Sequence, residues 1–322
     1  MATIKKLKLS LKSGLLSKLQ SDTIFGHFAW RFKDMHGDDK LWDFLCHFKD
    51  GNPVFTLSDG MFETNNEIYF PKPLKLTPSK FDKTNKKSGI KNFLIQKESK
   101  SIKLITLKEL NHFINNELNE FEDSLKNRRN SKLSNFEADL RISVEIDREN
   151  FRSKEGRLFS YHPQYLDDKT FIIIFVKILN QSKWDELKCE SILKSVFEVG
   201  YGKKKSSGYG QFEVIGDLEN FNGFIEPQDS NGFISLSHYL PANEDKITTA
   251  FYDINVKYGK LGEEFSSSQN PFKPAMLLLK PGSCFLTENK KEFYGRAIDK
   301  IIDYKPNIIH NGIAFTLNFK LL

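Results

Sequence analysis

The stretch from Thr170 to Leu179, TFIIIFVKIL, constrains the fold of this chain more than any other. It is a nearly continuous run of β-branched and aromatic residues. That is the pattern of a central strand buried on both faces, not of a strand with one wet side. The sequence around it supplies neighbours. WDELKCESILKSVFEVG follows and reads as a helix, with Leu187, Ile192, Val196 and Val199 near one face. Then come a glycine-rich segment, GYGKKKSSGYG from Gly200 to Gly210, and a strand, YGQFEVIG. Near the N-terminus, Leu7, Leu9 and Leu11 alternate with Lys6, Lys8, Ser10 and Lys12. This predicts a strand with one buried face and one lysine-rich face. In SDTIFGHFAWRF, Ile24, Phe28 and Phe32 recur every fourth residue, flanked by Phe25 and Ala29, and predict an amphipathic helix. Ser21 and Asp22 are residues of the N-cap type at its start. LWDFLCHF predicts a second short helix. VFTLSDG and NEIYFPKPL predict short strands, the latter stopped by Pro71 and Pro73.

The chain has 322 residues, enough for two domains, and its 29 phenylalanines can fill a substantial core. Between Ser79 and about Lys132 the texture changes. KFDKTNKKSGIKNFLIQKESK is lysine-rich, LITLKELNHFINNELNEF is helix-like, and SLKNRRNSK is basic again. This predicts a basic, partly mobile insertion, and a solvated excursion with no role fits the same composition. DLRISVEIDRENF and GRLFSYHP predict a long hairpin over about 140–162. Without the insertion the order approximates βαββαβ, the ferredoxin-like order, over residues 1–217. Residues 218–230 form a Gly/Asn/Asp-rich linker. Residues 231–322 hold mainly strand patterns, and the expected class is α+β.

The glycine-rich segment raises the functional question. Glycines let a backbone approach a ligand closely. Backbone N–H groups in such loops make anion-binding nests, lysines add point charges, and tyrosine rings stack on bases. A P-loop is excluded, because the segment follows a helix and enters a strand and its lysines precede Gly208. The Rossmann glycine pattern is absent too. A loop that tracks a sugar-phosphate backbone is the better physical reading. A flexible connection with solubilising lysines would have the same composition. The formal net charge of +6 is compatible with a polyanionic partner without requiring one.

Other classes find little support. Cys46, Cys189 and Cys284 are far apart and form no CxxC, which argues against a disulfide scaffold and a cysteine zinc site and fits a reducing, cytoplasmic compartment. No run of about eighteen apolar residues predicts a membrane span, and MATIKKLKLSLK lacks the apolar core of a signal peptide. No histidine falls in an HExxH pattern, and no G-x-S-x-G is present. GDDK, from Gly37 to Lys40, reads as a solvated turn. No metal or cofactor is expected. His27, on the first helix, is the one candidate general acid or base. A partly packed surface histidine is the plainer reading.

Four ordered stretches together resemble one family. The form G-x-G-[KR]-[KR]-x-x-G-[FY]-G, here at Gly200–Gly210, resembles the loop of the RAMP superfamily, the RNA-binding subunits of CRISPR ribonucleoproteins. SDTIFGHFAW, IYFPKPL and RISVEIDRENFRSKEGRLFSYHP resemble the Csm-type subunit, fourth of its set, that caps type III-A effector complexes at the crRNA 5′ handle. The likeness spans roughly the first two-thirds of the chain and is loose beyond it, mainly through NGIAFTLNF. It implies two ferredoxin-like (RRM-like) domains, the second degenerate and β-dominated. It also implies a non-catalytic subunit with three partners: the crRNA 5′ handle, a large polymerase-type subunit and a backbone RAMP subunit. Target RNA is a further candidate ligand. A metal-independent CRISPR-repeat endoribonuclease of the same superfamily is the alternative. Carried over by position, Lys203, Lys204, Lys205, Ser206, Ser207 and Tyr209 would line the RNA path. Gly202, Gly208 and Gly210 would allow close approach. Ser21 and His27 would lie near the RNA face. Asp147, Arg148 and Arg152 would belong to a thumb-like hairpin.

Overall fold

Alternation inside the apolar run decides the architecture. Ile172, Ile174, Val176 and Ile178 lie in one hydrophobic cluster and Ile173 and Phe175 in another, none more than 2% exposed. Successive residues of a strand point to opposite faces. Both faces therefore have to be covered, and two different layers cover them.

The structure is a computed structural model that describes residues 2–74, 102–127, 136–268, 270–302 and 307–321. Residues 79–101 and 128–132 of the expected insertion lie outside the described residues. In chain order the first part comprises β1 (Thr3–Leu11), α1 (Ser21–His36), α2 (Asp38–Lys49), β2 (Phe55–Leu57), β3 (Met61–Thr64), β4 (Glu67–Pro71), β5 (Leu104–Thr106), α3 (Leu107–Ile114) and α4 (Leu118–Asn127). It continues with β6 (Phe136–Ala138), β7 (Arg141–Asp147), β8 (Arg152–Tyr161), β9 (Gln164–Leu166), β10 (Thr170–Ile178), α5 (Gln181–Glu186), α6 (Cys189–Glu198) and β11 (Phe212–Asn220). The main sheet runs β11-β1-β10-β3-β4-β5, antiparallel throughout, with β2 also paired to β10. Leu7 lies opposite Ile174 and Leu9 opposite Ile172, so the buried face of β1 joins that of β10. On the other face Lys8 pairs with Glu63 at 2.6 Å and sits over the Phe171 ring.

The helical layer covers the Ile172/Ile174 face. Phe25, Phe28 and Phe32 of α1 meet Phe44 and Phe48 of α2, with Phe32 and Phe44 stacked at 4.5 Å. The segment expected as one helix before the glycine-rich loop is two, because Lys188 adopts a left-handed φ of 53° between α5 and α6. Val199 ends up 49% exposed at the end of α6, not on its buried face.

The opposite face carries α3, α4 and a second sheet. Thr106 and Glu109 form a capping box that turns the expected helix at LITLKEL into a strand followed by a helix. Ile105, Leu110, Phe113, Ile114, Phe121 and Leu125 are buried there. This central part of the expected insertion is packed into the fold. Residues 231–321 form β12 (Gly232–Ser235), β13 (Ile247–Phe251), β14 (Ile254–Lys257), β15 (Met276–Leu279), β16 (Cys284–Thr287), β17 (Ala297–Ile298), β18 (His310–Asn311) and β19 (Thr316–Phe319). No α-helix occurs among the described residues of this part. Its principal sheet, β13-β16-β12-β19, presents Ile234, Leu317 and Phe319 to the cluster around Phe175. Phe221 and Phe224, in the expected linker, also pack on the Phe175 ring, at 4.9 and 5.1 Å. Lys177 reaches across to the Thr316 carbonyl at 2.7 Å. Among the described residues no helix is long and apolar enough to cross a membrane.

The two-sided burial of β10 makes a contrast of like residues informative. Phe175→Ala is expected to cost about 3–5 kcal/mol in urea unfolding, the usual loss for a fully buried aromatic. Phe151→Ala, at a position 85% exposed, is expected to change stability by less than about 0.5 kcal/mol.

Candidate nucleic-acid interface

The glycine-rich loop joins α6 to β11 and is tied down along its length. Tyr201 is fully buried, its hydroxyl donating to the Lys18 carbonyl at 2.8 Å. The Tyr201 N–H donates to the Gly210 carbonyl at 2.8 Å, and the Gly210 N–H to the Gly14 carbonyl at 2.9 Å. Gly210 has φ +62°, and a Cβ there would stand 2.0 Å from the Tyr201 carbonyl oxygen. Only glycine can therefore close the neck of this loop. Ser13 and Ser17 anchor it from the segment after β1. Ser17 Oγ accepts from the Lys203 N–H at 2.8 Å, and Ser13 Oγ accepts from the Gln211 N–H at 3.0 Å. The loop is a formed feature, not the loose connection its composition also allowed.

The three lysines differ. Lys205 is ion-paired with Glu263 from the second part of the chain. Lys204 lies over the Tyr161 ring, its ammonium 3.6 Å from the centroid. Lys203 is exposed and has no ion-pair partner among the described residues. Ser206, Ser207 and Gly208 are exposed beside it, with Lys205–Ser207 forming one 3-10 turn.

His27 holds the loop in place. Its Nε2 accepts the Gly202 N–H at 3.2 Å, and its ring lies 5.0 Å from that of Tyr201. Burial, with the nearby Lys205 charge, pushes its pKa down to about 4. Ser21 and Asp22 do not cap α1 as expected. Gln20 occupies the N-cap position without a side-chain cap, and the Ser21 N–H donates to Asp59 Oδ1 at 2.9 Å. Asp22 is buried against Lys257 of β14 at 2.6 Å. Burial works to raise its pKa, and Lys257 with His310 outweighs that and leaves it below the ordinary value. A side chain from across the fold has taken the capping task.

The expected hairpin is β7 and β8, which pair only with each other. Asp147 closes its tip, accepting from the Glu149 N–H at 2.9 Å and from Asn150 at 3.3 Å. The backbone bond from Glu149 holds its pKa below the usual carboxylate value. Arg148 and Arg152 are exposed at the same tip. The tip residues are thus together, but they belong to the far end of the hairpin. The base of the hairpin meets the loop instead, through Tyr161, which the sequence reading did not single out. Ser13, Ser17 and Glu263 were missed likewise. Ser13 and Ser17 flank a glycine after a strand, a visible signal, whereas Glu263 carries none. Among the described residues no three His, Cys, Asp or Glu side chains gather as a metal site.

Two measurements check this anchoring. Gly210→Ala is expected to speed tryptic cleavage at Lys203–Lys205 about tenfold or more over Gly208→Ala, because cleavage follows the population of the opened loop. Gly208 also has a positive φ, +84°, but a Cβ there meets only open space, so the two variants differ by the clash with the Tyr201 carbonyl. The His27 pKa is lower folded than its ordinary 6.5. Its contribution to stability is therefore complete above about pH 6.5 and is lost as the pH falls toward 4. His27→Gln keeps an acceptor without titrating and should lessen the fall of the unfolding midpoint across that range, leaving the share of buried His310, whose pKa is likewise pushed down to about 4.

No protein-family model and no curated protein matches the chain. Solved structures do. A chain of the Csm3-Csm4 subcomplex in the type III-A CRISPR-Cas interference complex aligns over 100% of both chains, with 17% identity and a TM-score of 0.63. A chain of the Csm1-Csm4 cassette in complex with cA4 aligns over 99% of each, with 14% identity and a TM-score of 0.62. A chain of the same cassette with pppApA covers 100% of this chain and 99% of its own, with 14% identity and a TM-score of 0.62. Over its whole length this chain has the fold of a subunit of type III-A Csm complexes.

Proposed function

We propose that this chain is a non-catalytic RNA-binding subunit of a type III-A Csm complex. In this reading it holds the 5′ handle of the crRNA and bridges a large polymerase-type subunit to a backbone RAMP subunit. The observation that carries the proposal is the tethered glycine-rich loop, with exposed Lys203, Ser206 and Ser207 on a backbone fixed by Tyr201, Gly210 and Ser17. Such a loop offers positive charge and close backbone approach without an ordering cost at the moment of binding. The solved relatives add support. Csm4 is the component common to their descriptions, with Csm3 or Csm1 as its partner.

The order β11-β1-β10-β3, with helices after β1 and β10, supports a ferredoxin-like first domain over residues 1–217. The four-stranded sheet of residues 231–321 is then the degenerate second. The chemistry of His27 speaks against the ribonuclease alternative. At pH 7 a histidine with a pKa near 4 is a neutral imidazole and no longer a general acid, and its Nε2 lone pair is engaged by the Gly202 N–H.

Salt dependence tests the loop. Lys203→Ala is expected to shallow the slope of log affinity for single-stranded RNA against log salt by about 0.7, the value for one lost phosphate contact. Lys205→Ala should change it less, because Glu263 already neutralises that charge. An unchanged slope in Lys203→Ala would take the loop out of the RNA path.

A further inference from the structure

We propose that the base of the β7–β8 hairpin is a nucleobase-stacking site. Phe159 and Tyr161 would take an unpaired base of single-stranded RNA, while the loop lysines hold its phosphate. The proposal rests on the RNA-binding reading above.

The register places the parts. Tyr161 lies opposite Arg141 and Phe159 opposite Ser143, so Phe159 and Tyr161, two residues apart on β8, share one face. That face is turned toward the glycine-rich loop. The Lys204 ammonium is 3.6 Å from the Tyr161 centroid and 5.5 Å from that of Phe159. Tyr209, from the same loop, stands edge-on to Tyr161 at 5.6 Å and 88°. Tyr161 is also fixed at its hydroxyl, where the oxygen accepts from Ser143 Oγ at 3.2 Å and from the Tyr209 hydroxyl at 3.5 Å. The bond from Ser143, with that from Tyr209, brings its pKa down to about 8.

The hydrophobic core does not use these rings. Phe159 is 46% exposed, and neither it nor Tyr161 belongs to a hydrophobic core cluster. Lys204 holds its position from a left-handed backbone, φ 59°, which is costly for a residue with a Cβ. The result is a cation resting on an oriented aromatic face, one residue from the exposed Lys203. A nucleotide completes that arrangement. Its base takes the ring face, and the ammonium shifts to the adjacent phosphate. The exchange is favourable because a base stack outweighs a cation–π contact at a partly exposed ring. The ring faces themselves stack on any base, because every base has a π-face. The surrounding lysines favour a polyanion over a peptide as the occupant.

The test uses the full chain with two single-stranded probes of equal length, an oligouridylate and an oligomer of the same phosphate count carrying abasic sites. The double variant Phe159→Leu, Tyr161→Leu is expected to weaken oligouridylate binding by about tenfold or more. Its affinity for the abasic oligomer and its salt slope should stay those of the unmodified chain. Tyr161→Phe, which keeps the ring but not its hydroxyl bonds, should retain more oligouridylate affinity than Tyr161→Leu. Equal loss on both probes, or loss on neither, overturns the stacking site while leaving the phosphate loop standing. A second measurement needs no variant: irradiation with 5-iodouridine RNA should crosslink the Phe159–Tyr161 peptide, and crosslinks found only elsewhere overturn the proposal. If the chain shows no salt-sensitive binding to either probe, the RNA-binding reading falls, and this site falls with it.

Discussion

Burial of the central strand on both faces is the constraint from which the rest follows. A strand with isoleucines on one face and isoleucine and phenylalanine on the other cannot be stable with a single covering layer. The helices α1, α2 and α6 close one side. The second sheet, with α3 and α4, closes the other. This explains why the second part of the chain cannot be treated as a loosely tethered unit. Phe224 and Phe315 touch Phe175, and Lys177 is hydrogen-bonded to the Thr316 carbonyl across the layer junction.

The same packing positions the candidate interface. α1 lies against the sheet through its phenylalanine stripe, which leaves His27 facing the glycine-rich loop. β1 and β11 are neighbours, so the segment after β1 supplies Ser13 and Ser17 to the loop that precedes β11. The second part contributes Glu263, which neutralises one of the three lysines. The interface is thus assembled from five separated stretches, the hairpin base with Tyr161 among them, and its rigidity derives from the core beneath it. Charge is sorted by the same arrangement. One lysine is exposed, one rests on an aromatic face and one is paired.

Much of this was legible in the sequence, for identifiable reasons. Period two in Leu7–Leu11 and the near-continuous run at Thr170–Leu179 report burial directly, and both became neighbouring strands of one sheet. The four-residue repeat of Ile24, Phe28 and Phe32 reports a helix face in the same way. The glycine-rich segment announced itself by composition. What stayed hidden depended on contacts between distant residues. The Ser21 N–H is satisfied by Asp59, and no local pattern signals that a cap will come from a residue 38 positions away. The helix break at Lys188 rests on a left-handed lysine, a conformation that side-chain identity does not predict. The meeting of Tyr161 with Lys204 needs the hairpin and the loop to be folded onto the same edge, which periodicity cannot reveal.

The central claim is that the glycine-rich loop of this fold holds a guide RNA. The most direct test is affinity capture of the tagged chain from its own cells, followed by sequencing of the ends of the bound RNA. The account predicts a population of differing spacers that share one short repeat-derived 5′ end. Recovery of RNA without a common end, or of no RNA, would contradict it.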